Sequence, residues 1–187
     1  MSGNHSPIFL KDVASGELRE AVLQEGIRGR HLADVDEVWQ PALSVLQRWS
    51  GQSRREESAH WDWRTKMRDV RRSRKQRSFA IEFHDLTQGL MIVDTSRKAR
   101  LDPDCDQGLV YVDYVEVAPW NRHGWLPHRL FHSVGTLFLK TPIQTSLDLG
   151  FDGRIGLHSL PQADTFYSHF GMTNLGADAA NQDLMLF

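Results

Sequence analysis

Two carboxylates stand in a stretch that otherwise avoids charge. Residues 108–120 read GLVYVDYVEVAPW. As a strand, this run puts Val110, Val112, Tyr114 and Glu116 on one face and Leu109, Tyr111, Asp113, Val115 and Val117 on the other. Both faces are mostly apolar, as in a central strand covered on both sides. A carboxylate partly withdrawn from water in such a place can act as a general base or hold a water that relays a proton. The plainer alternative for Glu116 and Asp113 alike is a structural acceptor for a neighbouring loop. A bulge near Val115 would exchange the two faces, so the choice between them stays open.

A second stretch could hold an anion. Pro119 ends the strand, because proline cannot donate to a sheet ladder. After a long connection, Trp120–His132, the sequence SVGTLFLKTPIQTSLDLG begins a helix at Ser133. Ser133 suits the N-cap, Gly135 leaves room for a close visitor, and Gly150 suits the residue past the helix end. A buried strand feeding small residues and a helix start offers unpaired N–H groups to a phosphate. Pro142 inside the helix removes the bond to Phe138 and predicts a bend.

The elements around these stretches follow from periodicity. Ile8–Leu10 reads as a short edge strand and 16–24 as a helix, with Leu18, Ala21 and Val22 on one side. Residues 34–50 repeat Val35, Trp39, Ala42, Leu46 and Trp49 at helical steps, with Asp34 or Asp36 as cap and a kink at Pro41. Residues 54–76 form a second helix, with a buried stripe of Ala59, Trp63, Met67 and Val70. A basic stripe of Arg64, Arg68, Arg71, Arg72 and Lys75 reads as a solvated face. Phe79–Phe83 and Leu90–Val93 make a hairpin about a turn at 84–89, and 95–107 is a surface loop. Ile155 and Leu157 mark another strand. Ser159 with Gln162 suggests a capping box before a helix that stops at Gly171, and Leu184–Phe187 is a last strand. The expected division is a helical part, 1–77, and a mixed α/β (α+β) core, 78–187.

Composition bounds the function. The chain has 187 residues, 40% hydrophobic and 25% charged, with a net charge of -2. One domain is expected, and binding to a polyanion by charge alone is excluded, so nucleic acid is not an expected partner. The one cysteine, Cys105, rules out an internal disulfide framework and suits a reducing compartment. No apolar run reaches 18 residues and no secretory signal is visible, so no membrane span and a cytoplasmic location are expected. His84 could line a pocket or merely end a strand. His123, His128 and His132 lack accompanying cysteines or carboxylates at ligand spacing, so no metal is expected. Trp120 and Trp125 either wall a tunnel or pin the loop.

The order strand, strand, strand, helix, strand, helix, strand, with VEVAP at 115–119, SVGTLFL at 133–139 and ADTFYSHFGM at 163–172, resembles the GNAT superfamily of acyl-CoA-dependent N-acyltransferases. The resemblance covers residues 78–187. It implies a mixed, mostly antiparallel sheet with helices on both faces. It implies acetyl-CoA, or another acyl-CoA, as cofactor and an amine acceptor, small molecule or protein, acylated by direct transfer; a homodimer is left open. The pantetheine arm would meet Val115 and Val117, and the diphosphate His132, Ser133, Val134, Gly135 and Thr136. Tyr167 matches the tyrosine that protonates the leaving thiol and would also touch the cofactor. Glu116 or Asp113 would serve as base. The phosphate loop departs from the family pattern, with Leu130 at its leading polar position and Ser133 at its first glycine. The competing reading is a catalytically weak or inactive binding protein on the same fold, with the helices before the core as its partner surface.

Overall fold

The computed structural model describes residues 5–50, 58, 61–124 and 126–187, with backbone only at 49 and 50. Its contacts form two compact units, Met1–Ile92 with Tyr114–Phe138, and Val93–Asp113 with Leu139–Phe187.

In the first unit the strand order is β6-β1-β2-β3-β4. Strand β1 is His5–Asp12, β2 Leu18–Glu25, β3 Gln76–Phe83, β4 Leu86–Lys98 and β6 Phe131–His132. The helix expected at 16–24 is therefore a strand. Its apolar spacing fitted a helix, but β2 pairs antiparallel with β1 from His5↔Gln24 to Lys11↔Leu18 and with β3 from Val22↔Glu82 to Glu25↔Phe79. Gly16, at φ +73, and Asp12, accepting from the Ser15 N–H at 2.9 Å, turn the chain between β1 and β2. Two ladders of backbone bonds outweigh a weak local preference. Residues 1–77 thus open with two strands rather than being helical throughout, and β1 is longer than Ile8–Leu10 and has β6 on its outer side.

The first helical run starts earlier than Asp34. Helix α1, Gly29–Asp34, leads into a π turn, Val35–Trp39, and α2, Gln40–Ser50. Neither aspartate caps it: Asp34 accepts from the Thr87 N–H at 2.9 Å and hydroxyl at 2.5 Å, and Asp36 pairs with Arg64 at 2.7 Å. Pro41 has no N–H for the carbonyl of Glu37. The wide turn falls immediately before it, where the Gln40 N–H reaches back to Val35. Helix α3, Trp63–Arg72, is capped by Asp62, which accepts from the Thr65 N–H at 3.0 Å. Of its expected buried stripe, Trp63, Met67 and Val70 are buried, and Ala59 lies outside the described residues. They pack with Leu32, Val35, Trp39, Ala80, Leu90 and Ile92 into one core. Each valine, leucine, isoleucine or methionine among them, fully buried, contributes about 1.5–3 kcal/mol.

The β3–β4 turn is only His84 and Asp85, at φ +48 and +61, the geometry of a two-residue hairpin turn. Strand β4 is longer at both ends than Leu90–Val93, running into the expected loop as far as Lys98. Its start is polar but buried: Thr87 and Gln88 are held by Asp34 and by the linker described below.

In the second unit the order is β5-β7-β9-β8. Strand β5 is Gly108–Val117, entering the first unit at Tyr114; β7 is Ile155–Ser159, β8 Ala177–Asp178 and β9 Leu184–Leu186. Strands β5 and β7 pair in parallel from Val110↔Ile155 to Val112↔Leu157, whereas β7–β9 and β8–β9 are antiparallel. A parallel pair needs a crossover, and the chain between them contains helix α4, Val134–Asp148, which continues through Pro142. Helix α5, Asp164–Phe170, ends at Gly171, φ +94, as expected. Ahead of α5 the chain makes a 3-10 turn, Pro161–Ala163, with Leu160 at its N-cap, and the hydroxyl of Ser159, the cap expected for this helix, donates to the Leu160 carbonyl at 2.9 Å. Among the described residues no helix is long and apolar enough to cross a membrane.

Candidate functional site

The connection from β5 to α4 is clamped rather than loose. The Trp120 and Asn121 side chains both donate to Gln88 Oε1, at 2.9 and 3.0 Å, and Asn121 Oδ1 accepts the Phe131 N–H at 3.0 Å. Trp120 therefore pins the linker, and Trp125 lies outside the described residues. His132 is exposed and pairs with Lys11 in the β6–β1 ladder. Ser133 follows at φ +77, a left-handed conformation that L-residues other than glycine seldom adopt. Its carbonyl accepts the first helical bond, from the Leu137 N–H at 2.8 Å. Val134 is buried and can offer only its backbone, while Gly135 and Thr136 are half-buried. The first-turn N–H groups of such a helix have no intrahelical acceptor. Gly89 sets how closely this helix approaches β4: a Cβ there would lie 2.3 Å from Phe138 Cε2.

Glu116 is heavily committed. Its carboxylate accepts from Ser58 Oγ at 3.0 Å, Trp63 Nε1 at 2.5 Å and Arg122 Nη2 at 2.7 Å. Arg122 also donates through Nε to the Val117 carbonyl at 2.9 Å, which occupies one backbone group expected to face a pantetheine arm. Beside this cluster Tyr114 meets the edge of Trp61 at 5.1 Å, with Lys66 Nζ 3.3 Å from the Tyr114 ring centroid. Val115 and Val117 are half-buried on the opposite strand face. Arg122 was not singled out from the sequence. Its only signal in the sequence is a cation six residues after Glu116, in a linker that carries Arg129 as well.

Asp113 and Tyr167 belong to the second unit. Asp113 is half-buried, and its charge helps to raise the Tyr111 pKa. Tyr167 is buried among aromatic rings, 5.2 Å from Phe166 and 5.7 Å from Phe187 between centroids. Burial, with the charge of Asp164, pushes its phenol up to about 12, so it keeps its proton at neutral pH and can donate it. His84 is an exposed turn residue stacked on Phe83 at 4.0 Å. His123 and His128 are exposed too. Among the described residues no group of histidines, cysteines and carboxylates could hold a metal ion.

Two histidine–carboxylate–arginine clusters escaped the sequence reading. In the first unit, fully buried His31 bonds through Nε2 to Glu82, and Arg30 grips the same carboxylate at 2.9 and 2.8 Å. In the second, His158 bonds through Nδ1 to the Tyr111 hydroxyl and through Nε2 to Asp178 at 2.9 Å, and Arg100 holds Asp178 at 2.7 Å. Histidine and carboxylate lie 51 residues apart in the first and 20 in the second, so no local spacing announces either pair.

No family model matches the sequence, and no curated protein matches it either. Solved structures do. A transcriptional regulator from Bacillus halodurans C-125 superposes with a TM-score of 0.53 at 13% identity, covering 82% of this chain and 93% of that one. A mutant of the BH1408 protein from Bacillus halodurans gives 0.52 at 16%, covering 81% and 92%. The aminoglycoside N-acetyltransferase AAC(6')-Iy, solved in complex with CoA, gives 0.51 at 10%, covering 81% and 90%. The chain has the GNAT fold, a mixed α/β architecture with a mostly antiparallel sheet.

Proposed function

We propose that the protein is an acyl-CoA-dependent N-acyltransferase that passes acetyl from acetyl-CoA directly to a primary amine, on a small molecule or a protein. The observation that carries this reading is the left-handed turn at Ser133 into α4, on a fold shared with an acetyltransferase solved with CoA. That turn is where the family's loop has its first glycine, and a serine held in the same backbone shape supports retention of the diphosphate cradle formed by Val134, Gly135 and Thr136. Val115 and Val117 would meet the pantetheine arm, the Val117 carbonyl only if Arg122 released it. Acyl transfer needs the amine to lose a proton, the thioester oxygen to be stabilised and the thiolate to be protonated. Tyr167 is assigned the last role by its place in the family motif and carries a proton at neutral pH; the rise to about 12 makes it a weaker acid, not a better donor. Asp113 or Glu116 would serve as base, Glu116 only on giving up some of its three donors.

Calorimetric titration with acetyl-CoA tests the reading: saturable heat is expected, and none at millimolar ligand overturns it. Tyr167→Phe is expected to lower turnover about 100-fold with cofactor affinity nearly unchanged. Equal losses in both would make Tyr167 a binding residue.

A second reading is a protein that binds acyl-CoA without turning it over. The engagement of Glu116 by Arg122, Trp63 and Ser58 favours it, because a carboxylate holding three donors is a poor proton acceptor. Tight acetyl-CoA binding with no acetylation across an amine panel is its signature.

A further inference from the structure

The second unit encloses a cavity of about 360 Å³. Leu109, Ile155, Met172, Leu186 and Phe187 give it apolar walls, and Tyr111 and His158 line it together with Arg97 and Arg100. This volume and this mixture of apolar wall and few convergent polar groups are those of a small-molecule site.

The hydrogen bonds dictate which ligand chemistry fits. Asp178 accepts from Arg100, from Asn181 Nδ2 at 3.0 Å and from the Ala180 N–H at 3.0 Å, and it can only accept. The proton between it and His158 therefore belongs to His158 Nε2. In a ring that carries this one proton Nδ1 is bare, and it accepts the Tyr111 hydroxyl proton. With that proton directed at His158, Tyr111 Oη has only lone pairs left to offer. Arg97, whose guanidinium carbon lies 5.3 Å from the centre of the Tyr111 ring, and Arg100 disfavour an ammonium. A carboxylate would bring lone pairs to lone pairs, and the cations that line the cavity already hold acceptors: Arg97 has Asp94, Lys98 the Asp106 carbonyl, Arg100 Asp178 and Arg154 Asp104. A neutral hydroxyl satisfies both conditions: it donates to Tyr111 and tolerates, through its own oxygen, nearby cations.

We propose that this cavity binds a small molecule carrying a neutral hydroxyl, a phenol above all, on an apolar body, with Tyr111 Oη accepting the hydroxyl's hydrogen bond and Asp178, through His158, fixing Tyr111 as acceptor. The site lies wholly in the second unit and stands whether or not the protein binds acyl-CoA.

The test uses 4-butylphenol and its methyl ether, 4-butylanisole, which has the same apolar body and no donor. Calorimetry on the full chain is expected to show the phenol binding about tenfold tighter, with a shift of the Met172 methyl resonance in carbon-labelled protein. In Tyr111→Phe the preference is expected to fall to about unity. Met172→Trp, at a half-exposed wall position, is expected to abolish binding of both probes and does not depend on Tyr111→Phe folding. Equal affinity for phenol and ether in the unaltered protein, no binding of the phenol, or binding that survives Met172→Trp would overturn the proposal.

Discussion

Glu82 with His31 and Arg30, and Asp178 with His158 and Arg100, are built from the same three groups, a carboxylate, an imidazole and a guanidinium, and differ in what closes them. In the first unit the ring nitrogen not facing Glu82 is taken by the Arg28 backbone N–H at 2.9 Å, and His31 is wholly shielded from water. Every polar atom of that ring is satisfied inside the protein. In the second unit the corresponding nitrogen is taken by a tyrosine hydroxyl, and both partners line a cavity. The first arrangement is a sealed joint between α1 and β3. The second ends on a group that can still accept a bond from outside. Residue type alone does not separate structure from function; the last partner in the chain does.

Removing each carboxylate is the most direct attack on this contrast. Glu82→Ala strands the His31 N–H and half-exposed Arg30 beside a buried site, and a loss of about 3 kcal/mol is expected in the denaturation midpoint. Asp178→Asn should cost clearly less, because water can reach the groups it leaves. An equal loss in the two would make both clusters structural. Acid comes next. Burial holds His31 below its ordinary 6.5, outweighing the hydrogen bond that it donates to Glu82, which acts the other way. The folded state therefore prefers the neutral ring. The associated stability is fully present above 6.5 and drains away as pH falls through that value towards the folded pKa. Glu82 acts in the same direction at lower pH. Burial would raise it, but the bonds from His31 and Arg30 together hold it below 4.5, so its contribution is lost on further acidification. His31→Gln, which can still donate to Glu82 and accept from Arg28, should flatten the slope of stability against pH between 7 and 5. A slope unchanged in that variant would show that another group carries it.

Smaller effects sharpen the picture around α4. Ser133→Gly removes a side chain from a left-handed conformation and should stabilise the protein by about 1 kcal/mol, read by thermal melting, with no loss of acetyl-CoA affinity. Destabilisation would mean that the serine hydroxyl makes up for the backbone strain. Smallest of all, Tyr111→Phe should change stability by less than about 1 kcal/mol, since the proposed task of that hydroxyl is to meet a ligand.

How much of this could be read beforehand depends on how local the cause is. Strand β5 and helix α4 were visible because alternation and capping residues act within a few positions. The buried stripe of α3 was visible for the same reason. Strand β2 was misread as helix because Leu18, Ala21 and Val22 satisfy a helical step, while its real partners lie in β1 and β3. The polar start of β4 looked like a turn because nothing nearby shows that Thr87 is claimed by Asp34. Glu116 stands out in the sequence as a charge in an apolar strand, but its donors are Ser58, Trp63 and Arg122, two of them more than fifty residues away. Its engagement could not be anticipated.

By itself the sequence determined the alternating β5, the helix that opens after Ser133 and the stop at Gly171, because short-range sterics and hydrogen bonding act along the chain. Tertiary structure alone decided that Ser133 takes a glycine's backbone shape, that Glu116 is gripped rather than idle, and that Tyr111, His158 and Asp178 meet at a cavity. A side chain's protonation and reach depend on neighbours in space, and distant segments become neighbours only when the chain has folded.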